Sequence, residues 1–516
     1  MASGNPSRRA GGRSARVAKR SAEIPLADRP IQPGMTGGAY QPLTQEQMVQ
    51  IFDASLTLLS DIGMGQATPE FIDLVTSSGG TLDQDQRLHF PNAMVHTAIE
   101  NAATEFTLYG FSPHHDVRIG GQRVHFSTGG AAVLMLEHET STFRHSSLKD
   151  IYEIGRVIDA LEHIHIYVRT VVARDMETSR ELDLNTAYAV MASTSKPVGT
   201  SFFQPEHVHE VAQMFNIALT GDPNADEFRN RPFCIANNTF VVPPLRFAED
   251  SALCMAEQVR AGMPINLLSA GQAGATSPAT LAGSLSQALA ECLAGLICVN
   301  LLSPGHPCTM GMWPFVSDLR TGAMSGGSGE EAVLNAAAAQ LINWIGLPSG
   351  VAAGMADSKL PDQQAGHEKG TTVTLAAQAG ANVVFESAGM LASLLACSLE
   401  TLVIDNDLLG AVARSVKGIE VNNDSLAVEV IREVVEGAGH FLGHEQTLRV
   451  MQTEYIYPSV GDRLSPEDWA DAGSLDVRAR ANGRVKEILS LPTPAHINPK
   501  ADALIRDLFP IRLDLV

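Results

Sequence analysis

A chain of 516 residues with 57 acidic and 36 basic side chains carries a formal charge of −21. That balance argues against nucleic acid as a partner and suits a soluble enzyme. The length is enough to bury a large core and fits one large barrel with additions.

Residues 1–40 scatter Arg8, Arg9, Arg13, Arg16, Lys19 and Arg20 among Gly, Ser and Ala. This composition predicts a disordered basic tail. It contains no apolar signal segment, and the expected compartment is the cytoplasm. The six cysteines form no C-x-x-C pair and read as reduced core residues. Thr44 and Gln47 have capping-box spacing, which opens a helix running to about Ile62. Short strands and helices then predict an α+β cap over residues 41–123.

From Val124 the rhythm changes. Apolar runs predict strands at 124–128, 164–170, 198–203, 233–238, 265–269, 308–313, 351–355 and 382–387. Helices are expected near 147–160, 181–194, 205–219, 247–262, 278–303, 329–345, 362–380 and 388–400. Near-continuous apolar strands are what a sheet covered on both faces requires. Eight strand–helix units close most simply as a (β/α)8 barrel, a TIM barrel of the α/β class, over residues 124–405. An open doubly wound sheet is the alternative, but no G-x-G-x-x-G follows the first strand. Residues 406–516 read as a helical extension. Ser277 is expected to cap the fifth helix, with Pro278 in its first turn. That helix is the most apolar, yet Ser284, Ser286, Gln287, Glu291 and Asn300 interrupt it, so burial is favoured over a membrane span.

Barrel chemistry sits at the C-terminal ends of the strands. The polar residues there are Thr128, Arg169, Gln204, Asn237, Asn238, Ser269, Gln272, Asp318, Asp357, Lys359, Glu386 and Ser387, beside the aromatic Phe202, Phe203, Trp313 and Phe315. The stretch His306–Glu331 concentrates them: a strand, then Trp313, Phe315, Asp318 and Arg320, a glycine-rich bend, and Ser328 with Glu331 as a second capping box. No metal is expected. His163 and His165 fall at a strand start, His207 and His209 do not share a helix face, and no H-E-x-x-H or zinc-spaced Cys/His cluster occurs. Asp362, His367 and Glu368 follow the seventh strand and are candidates to reach the site. No G-x-S-x-G, Walker or Rossmann motif is present.

Five stretches carry a family resemblance: FSTGG at 126–130, SAGQAGATSPATLAGSLSQALAECLAG at 269–295, WPFVSDLRTGAMSGGSGEE at 313–331, GMADSKLPDQQAGHEK at 354–369 and HFLGHEQTLRVM at 440–451. Together they resemble the trimethylamine methyltransferase superfamily, in its branch without pyrrolysine, over about residues 41–490. The resemblance implies a TIM barrel that moves a methyl group from a methylated amine to the cobalt of a corrinoid protein. This chain contains only the standard twenty residues, which points toward quaternary amines such as betaines. The alternatives left open are action on another methylated amine, or a non-catalytic amine-binding barrel. The implied cation cage is Trp313, Phe315 and Phe202. Arg320, Arg169 and Asn238 are candidates for a betaine carboxylate, with Gln204 and Asp357 also at the substrate. Asp318, Glu386 and His367 are the candidates for chemistry. The implied partner is a separate corrinoid protein supplying cob(I)alamin, since no D-x-H-x-x-G signature occurs and this chain is not expected to hold a corrinoid tightly. The resemblance also implies a homo-oligomer, with the apolar helix 278–303 suited to an interface.

Overall fold

The computed structural model describes Pro25 and residues 29–514. Eight parallel strands form its centre: β1 (Arg123–Phe126), β2 (Tyr167–Val168), β3 (Val198–Thr200), β4 (Cys234–Asn238), β5 (Ile265–Ser269), β6 (Cys308–Met312), β7 (Ser349–Ala352) and β8 (Val383–Phe385). Each pairs in parallel with the next, from Val198↔Tyr167 between β3 and β2 to Val351↔Val384 between β7 and β8. The ring closes where β8 pairs with β1 (Val383↔His125) and a parallel bridge joins Ser127 to Ile166. The expected (β/α)8 barrel is therefore observed.

Each strand except the last is followed by its helix close to the expected place: α1 (Leu148–Asp159), α2 (Ser179–Ser193), α3 (Pro205–Thr220), α4 (Glu249–Arg260), α5 (Leu281–Leu302), α6 (Gly329–Trp344) and α7 (Gln363–Gln378). The eighth, α8 (Leu399–Lys417), begins eleven residues later than the predicted 388–400. Residues 390–397 instead form a hairpin, Met390–Leu391 against Ala396–Cys397, that joins Leu134–Leu136 and Phe143–His145 in a small sheet beside the barrel mouth. Ala392, Ser393 and Leu394 turn this hairpin with positive φ, which no helix tolerates. At α5 the cap is Thr280, not Ser277. Ser277 lies in the preceding turn, its hydroxyl 3.0 Å from that of Ser284.

The barrel interior is tightly filled. The Asn266 amide donates to Asn237 Oδ1 at 3.0 Å and accepts from Thr309 Oγ1 at 2.8 Å. A Cβ on Gly311 would lie 2.6 Å from Asn266 Oδ1, so β6 needs a residue without one there. All six cysteines are free and buried.

Among the cap elements, Thr44 and Gln47 form the full reciprocal box at the helix Gln45–Thr57. This helix and its neighbours Pro69–Ser77 and Asn92–Asn101 lie over α5. α5 is long and apolar enough to cross a membrane. Every residue from Ser284 to Asn300 is nevertheless buried between cap and barrel, so that stretch of α5 offers no surface for an interface between chains. The basic residues of the expected tail, Arg8 to Arg20, lie outside the described residues. Residues 35–36 of that same stretch form a strand, pairing antiparallel with β1 at Met35↔Val124 beneath the ring.

Candidate functional site

Glu386 follows β8 directly. Its backbone lies in the left-handed region, φ 61°, which costs a residue bearing a Cβ about 1 kcal/mol or more and tends to mark functional positions. The side chain is fully buried, and neither carboxylate oxygen has a partner. It lies against the FSTGG turn after β1. A Cβ added to Gly129 or Gly130 would come to 3.0 Å from one of its oxygens, so that turn is bare where the carboxylate sits. Burial pushes the Glu386 carboxyl up to about 8, against the opposing pull of the Lys369 and Arg169 cations.

Glu331 is a second carboxylate of the same kind. Its backbone N–H donates to Ser328 Oγ at 3.2 Å, as a capping box requires. Its carboxylate does not return to the Ser328 backbone; it is buried with both oxygens unpartnered. Burial raises this carboxyl well above the usual range, and the nearby acids Asp357 and Glu386 raise it further. Among the described residues no three His, Cys, Asp or Glu side chains come together as a metal-ligand group.

Trp313 and Phe315 meet at this end of the barrel. The Trp313 ring centroid is 5.5 Å from Phe385 and 6.3 Å from Phe315, and the indole N–H is buried without an acceptor. Arg169, just past β2, is half-buried. Its guanidinium makes no hydrogen bond or ion pair among the described residues. Burial lowers its pKa, while Asp183 and Glu386 pull the other way. Asp183 is anchored in turn: it accepts from Phe203 N–H at 2.9 Å and lies 2.6 Å from His207 Nδ1.

Other expected site residues are placed differently. Asp357 accepts from Ser325 Oγ at 2.6 Å and Gly326 N–H at 2.7 Å, and also from Ser393 Oγ, so it fastens the glycine-rich bend to the rim hairpin. Arg320 is 89% exposed and forks onto Asp318 at 2.7 Å, holding that carboxyl down to about 2. The two satisfy each other at a loop tip. His367 is exposed on the outer face of α7. Gln204 is an exposed N-cap of α3. Asn238 turns away from the barrel axis, donating to Ser251 O and Gln258 Oε1, both at 2.9 Å. Phe202 is buried but makes no ring contact with Trp313 or Phe315 among the described residues. Glu386 interacts electrostatically with Glu331 and Arg169, and Trp313 packs between Phe315 and Phe385, the residue before Glu386.

A family model described as trimethylamine methyltransferase (MTTB) matches residues 9–512. The chain belongs to the trimethylamine methyltransferase family. It is a methyltransferase. A relative from Desulfitobacterium hafniense, the trimethylamine methyltransferase MttB, is 31% identical over 466 residues, covering 90% of this chain and 92% of its own. The glycine betaine methyltransferase of the same species is 28% identical, covering 90% and 96%. Among solved structures, the Methanosarcina barkeri monomethylamine methyltransferase matches with a TM-score of 0.51 at 11% identity, covering 90% of each chain. That likeness speaks to the barrel alone.

This family member also has a cavity of about 370 Å³ at the opposite, N-terminal end of the barrel, lined by His115, His163, His165 and Lys196 among others. Two of its polar groups are engaged with the backbone. Lys196 Nζ donates to the carbonyls of Ile158 (2.8 Å), Ile164 (2.7 Å) and Leu161, and His165 Nδ1 accepts from Phe126 N–H at 3.1 Å. The buried carboxylates without a hydrogen-bond partner, Glu386 and Glu331, lie at the other end. Glu331 is the residue that sequence reasoning assigned to helix capping alone.

Proposed function

We propose that this chain moves a methyl group from a quaternary methylated amine, such as a betaine, to the Co(I) of a separate corrinoid protein. The observation that carries the reading is Glu386: a fully buried carboxylate without a partner, on a left-handed backbone, with Glu331 unpartnered nearby. Two such acids beside an aromatic face are suited to a quaternary ammonium, which has no N–H to donate and is held by charge and by ring faces. Arg169, free of partners, is the group suited to a betaine carboxylate. Arg320 is withdrawn from that role by Asp318.

Methyl transfer from a quaternary nitrogen needs no proton. The N–CH3 electron pair stays on nitrogen, which leaves as a neutral amine, and the new bond to carbon uses the electron pair of cob(I)alamin, the nucleophile that the partner protein supplies. The work of this chain is to hold the N–CH3 bond in line with the cobalt and to desolvate the cation. Trp313 and Phe315 form one wall of that site, and Glu386 the charge opposite it.

The expected result is turnover of cob(I)alamin to methylcobalamin with a panel of betaines, using the reduced corrinoid protein as acceptor. No turnover with any quaternary amine, but turnover with a tertiary one, would move the reading to a trimethylamine-type activity. Binding without turnover would leave an amine-binding barrel.

Trp313→Ala is expected to weaken betaine binding by roughly 1–2 kcal/mol, about 5- to 30-fold, among molecules that remain folded. Trp313→Phe should keep much of the affinity, because a ring face remains and the indole N–H has no partner to lose. Calorimetric titration with glycine betaine and with its uncharged tert-butyl isostere checks this. Equal binding of the two by the wild type would rule out a cation–π wall.

A further inference from the structure

We infer that the cavity at the N-terminal end of the barrel binds a flat, uncharged nitrogen heterocycle that carries an amino group, of the size of a nucleobase or nucleoside. Its volume of about 370 Å³ lies in the range of small-molecule sites, which are mostly apolar with a few convergent polar groups. The apolar wall here is Ile31, Val117, Phe126, Leu161, Ile164 and Ala413. The Phe126 and His165 rings stack at 27° with centroids 5.8 Å apart, which gives the cavity a flat aromatic side. His114, Asp116, Ala160 and Glu162 of the lining are exposed and form its opening.

Three polar atoms of the lining side chains have no hydrogen-bond partner among the described residues, and their neighbours fix what each can do. His165 Nδ1 accepts from Phe126 N–H at 3.1 Å, so the proton of the neutral ring sits on Nε2, a donor. Asp159 Oδ1 accepts from Thr194 Oγ1 at 2.7 Å, Ser195 N–H at 2.8 Å and Ser195 Oγ at 3.2 Å, which leaves Oδ2 as an acceptor. With its own proton on Asp159, Ser195 Oγ receives one from His115 Nδ1, 3.1 Å away, and His115 Nε2 becomes the second acceptor. Burial holds both imidazoles below their usual range, with His125 lowering His165 further and Lys196 lowering His115. One donor and two acceptors between apolar walls match a ring nitrogen beside an amino group. The ring nitrogen accepts from His165, and the amino N–H groups go to Asp159 and His115.

The charges decide against an anion. Lys196 Nζ spends its N–H bonds on the carbonyls of Ile158, Leu161 and Ile164, and Arg29 pairs with Glu162 at 2.7 Å. A phosphate would lie among the carboxylates of Asp116, Asp159 and Glu162. The ligand is therefore a free base or a nucleoside rather than a nucleotide. Nor is it the methylated amine of the mouth, since a quaternary nitrogen has no N–H for either acceptor.

Calorimetric titration of the full chain with adenine, cytosine, adenosine, adenosine monophosphate and purine, which lacks the amino group, tests this. An aminated base or its nucleoside is expected to bind, and the monophosphate and purine to bind about tenfold more weakly or worse. Asp159→Asn turns the acceptor Oδ2 into a donor while keeping Oδ1 for Ser195, and should cost about tenfold in affinity or more. Ala160→Trp, at an exposed position of the opening, fills the cavity from outside and should abolish binding without touching the core. Glu386→Gln, at the opposite end of the barrel, should leave it unchanged. No binding of adenine, cytosine or adenosine, a monophosphate held as tightly as adenosine, an affinity indifferent to Asp159→Asn and Ala160→Trp, or a loss in Glu386→Gln would each overturn the proposal.

Discussion

Replacing Glu386 with Gln is expected to weaken binding of a quaternary ammonium substrate by roughly 30- to 150-fold, or about 2–3 kcal/mol, the scale for removing one partner of a buried charge pair. The loss should appear in KM and leave kcat nearly unchanged. The reason is where the charge goes: the nitrogen is positive in the bound substrate and becomes neutral as the methyl departs. A carboxylate beside it holds the ground state at least as strongly as the transition state, so its loss costs affinity without slowing the chemical step. If the substrate is instead a neutral tertiary amine, the same carboxyl must hand its proton to nitrogen before the amine can leave. Glu386→Gln then lowers kcat by 10²- to 10⁴-fold. Steady-state kinetics with one quaternary and one tertiary amine separates the two.

The same group sets the pH dependence. With the free carboxyl at about 8, a cation binds best once it is ionised. Affinity for a quaternary amine should be flat above pH 8 and fall toward tenfold per pH unit below it. Proton donation to a tertiary amine gives the opposite sign, with the rate falling above pH 8. Stability follows from linkage. The folded value is raised above the unfolded one, so between about 4.5 and 8 the native state binds the extra proton, and stability declines as pH rises through that window. The rise corresponds to at most about 5 kcal/mol. Glu386→Gln should therefore raise the Tm, more at pH 8.5 than at pH 5. A variant that loses affinity while gaining stability marks a site residue rather than a core one. Thermal denaturation at the two pH values measures it.

How much of this was legible in the sequence depended on what each segment had to satisfy. The eight strands were visible because a ring covered on both faces demands apolar runs such as CTMGM at Cys308–Met312. The run after β8 was misread as helix, since a buried hairpin and a buried helix share one composition and periodicity cannot part them. The left-handed residues that turn it, Ala392 and Ser393, carry no glycine to announce them. The position of Glu386 at the strand's end was legible because a charged residue directly after an apolar strand has few structural uses. Glu331 was hidden by a good alternative, because Glu at the third position of a capped helix reads as a cap. Asp318 and Arg320 misled for the converse reason. Two opposite charges two residues apart on a loop look functional until the structure shows them bound to each other. His367 was a matter of helical phase. The same α7 that turns Lys369 inward turns His367 to solvent.

Lys369→Met is expected to destabilise the protein by about 3–5 kcal/mol, the usual loss when one partner of a buried ion pair is removed. Lys369 Nζ is 2.9 Å from Asp405 Oδ2 and also donates to Gly354 O at 2.7 Å, with both side chains almost wholly buried. Asp405 Oδ2 accepts from Gly389 N–H at 2.8 Å. The pair thus ties the end of β7, helix α8 and the start of the rim hairpin, three residues beyond Glu386. Without Lys369 the Asp405 carboxyl, which burial already raises, loses the cation that offsets it. Its folded value climbs further above the unfolded one, so stability of the variant should fall as pH rises above about 4, more steeply than in the wild type. The double variant Lys369→Met, Asp405→Asn removes the stranded charge and keeps an acceptor for Gly389, and should recover most of the loss. Denaturant titration of the two single variants and the double one gives the coupling directly. Lys369 also bears on Glu386, whose carboxyl it pulls down. In the double variant, where the fold is retained, the midpoint of the pH–affinity curve should therefore move above 8. If the midpoint stays at the wild-type value while stability falls and recovers as described, Lys369 serves the fold alone, and the charge state of the substrate site is set by burial and Arg169.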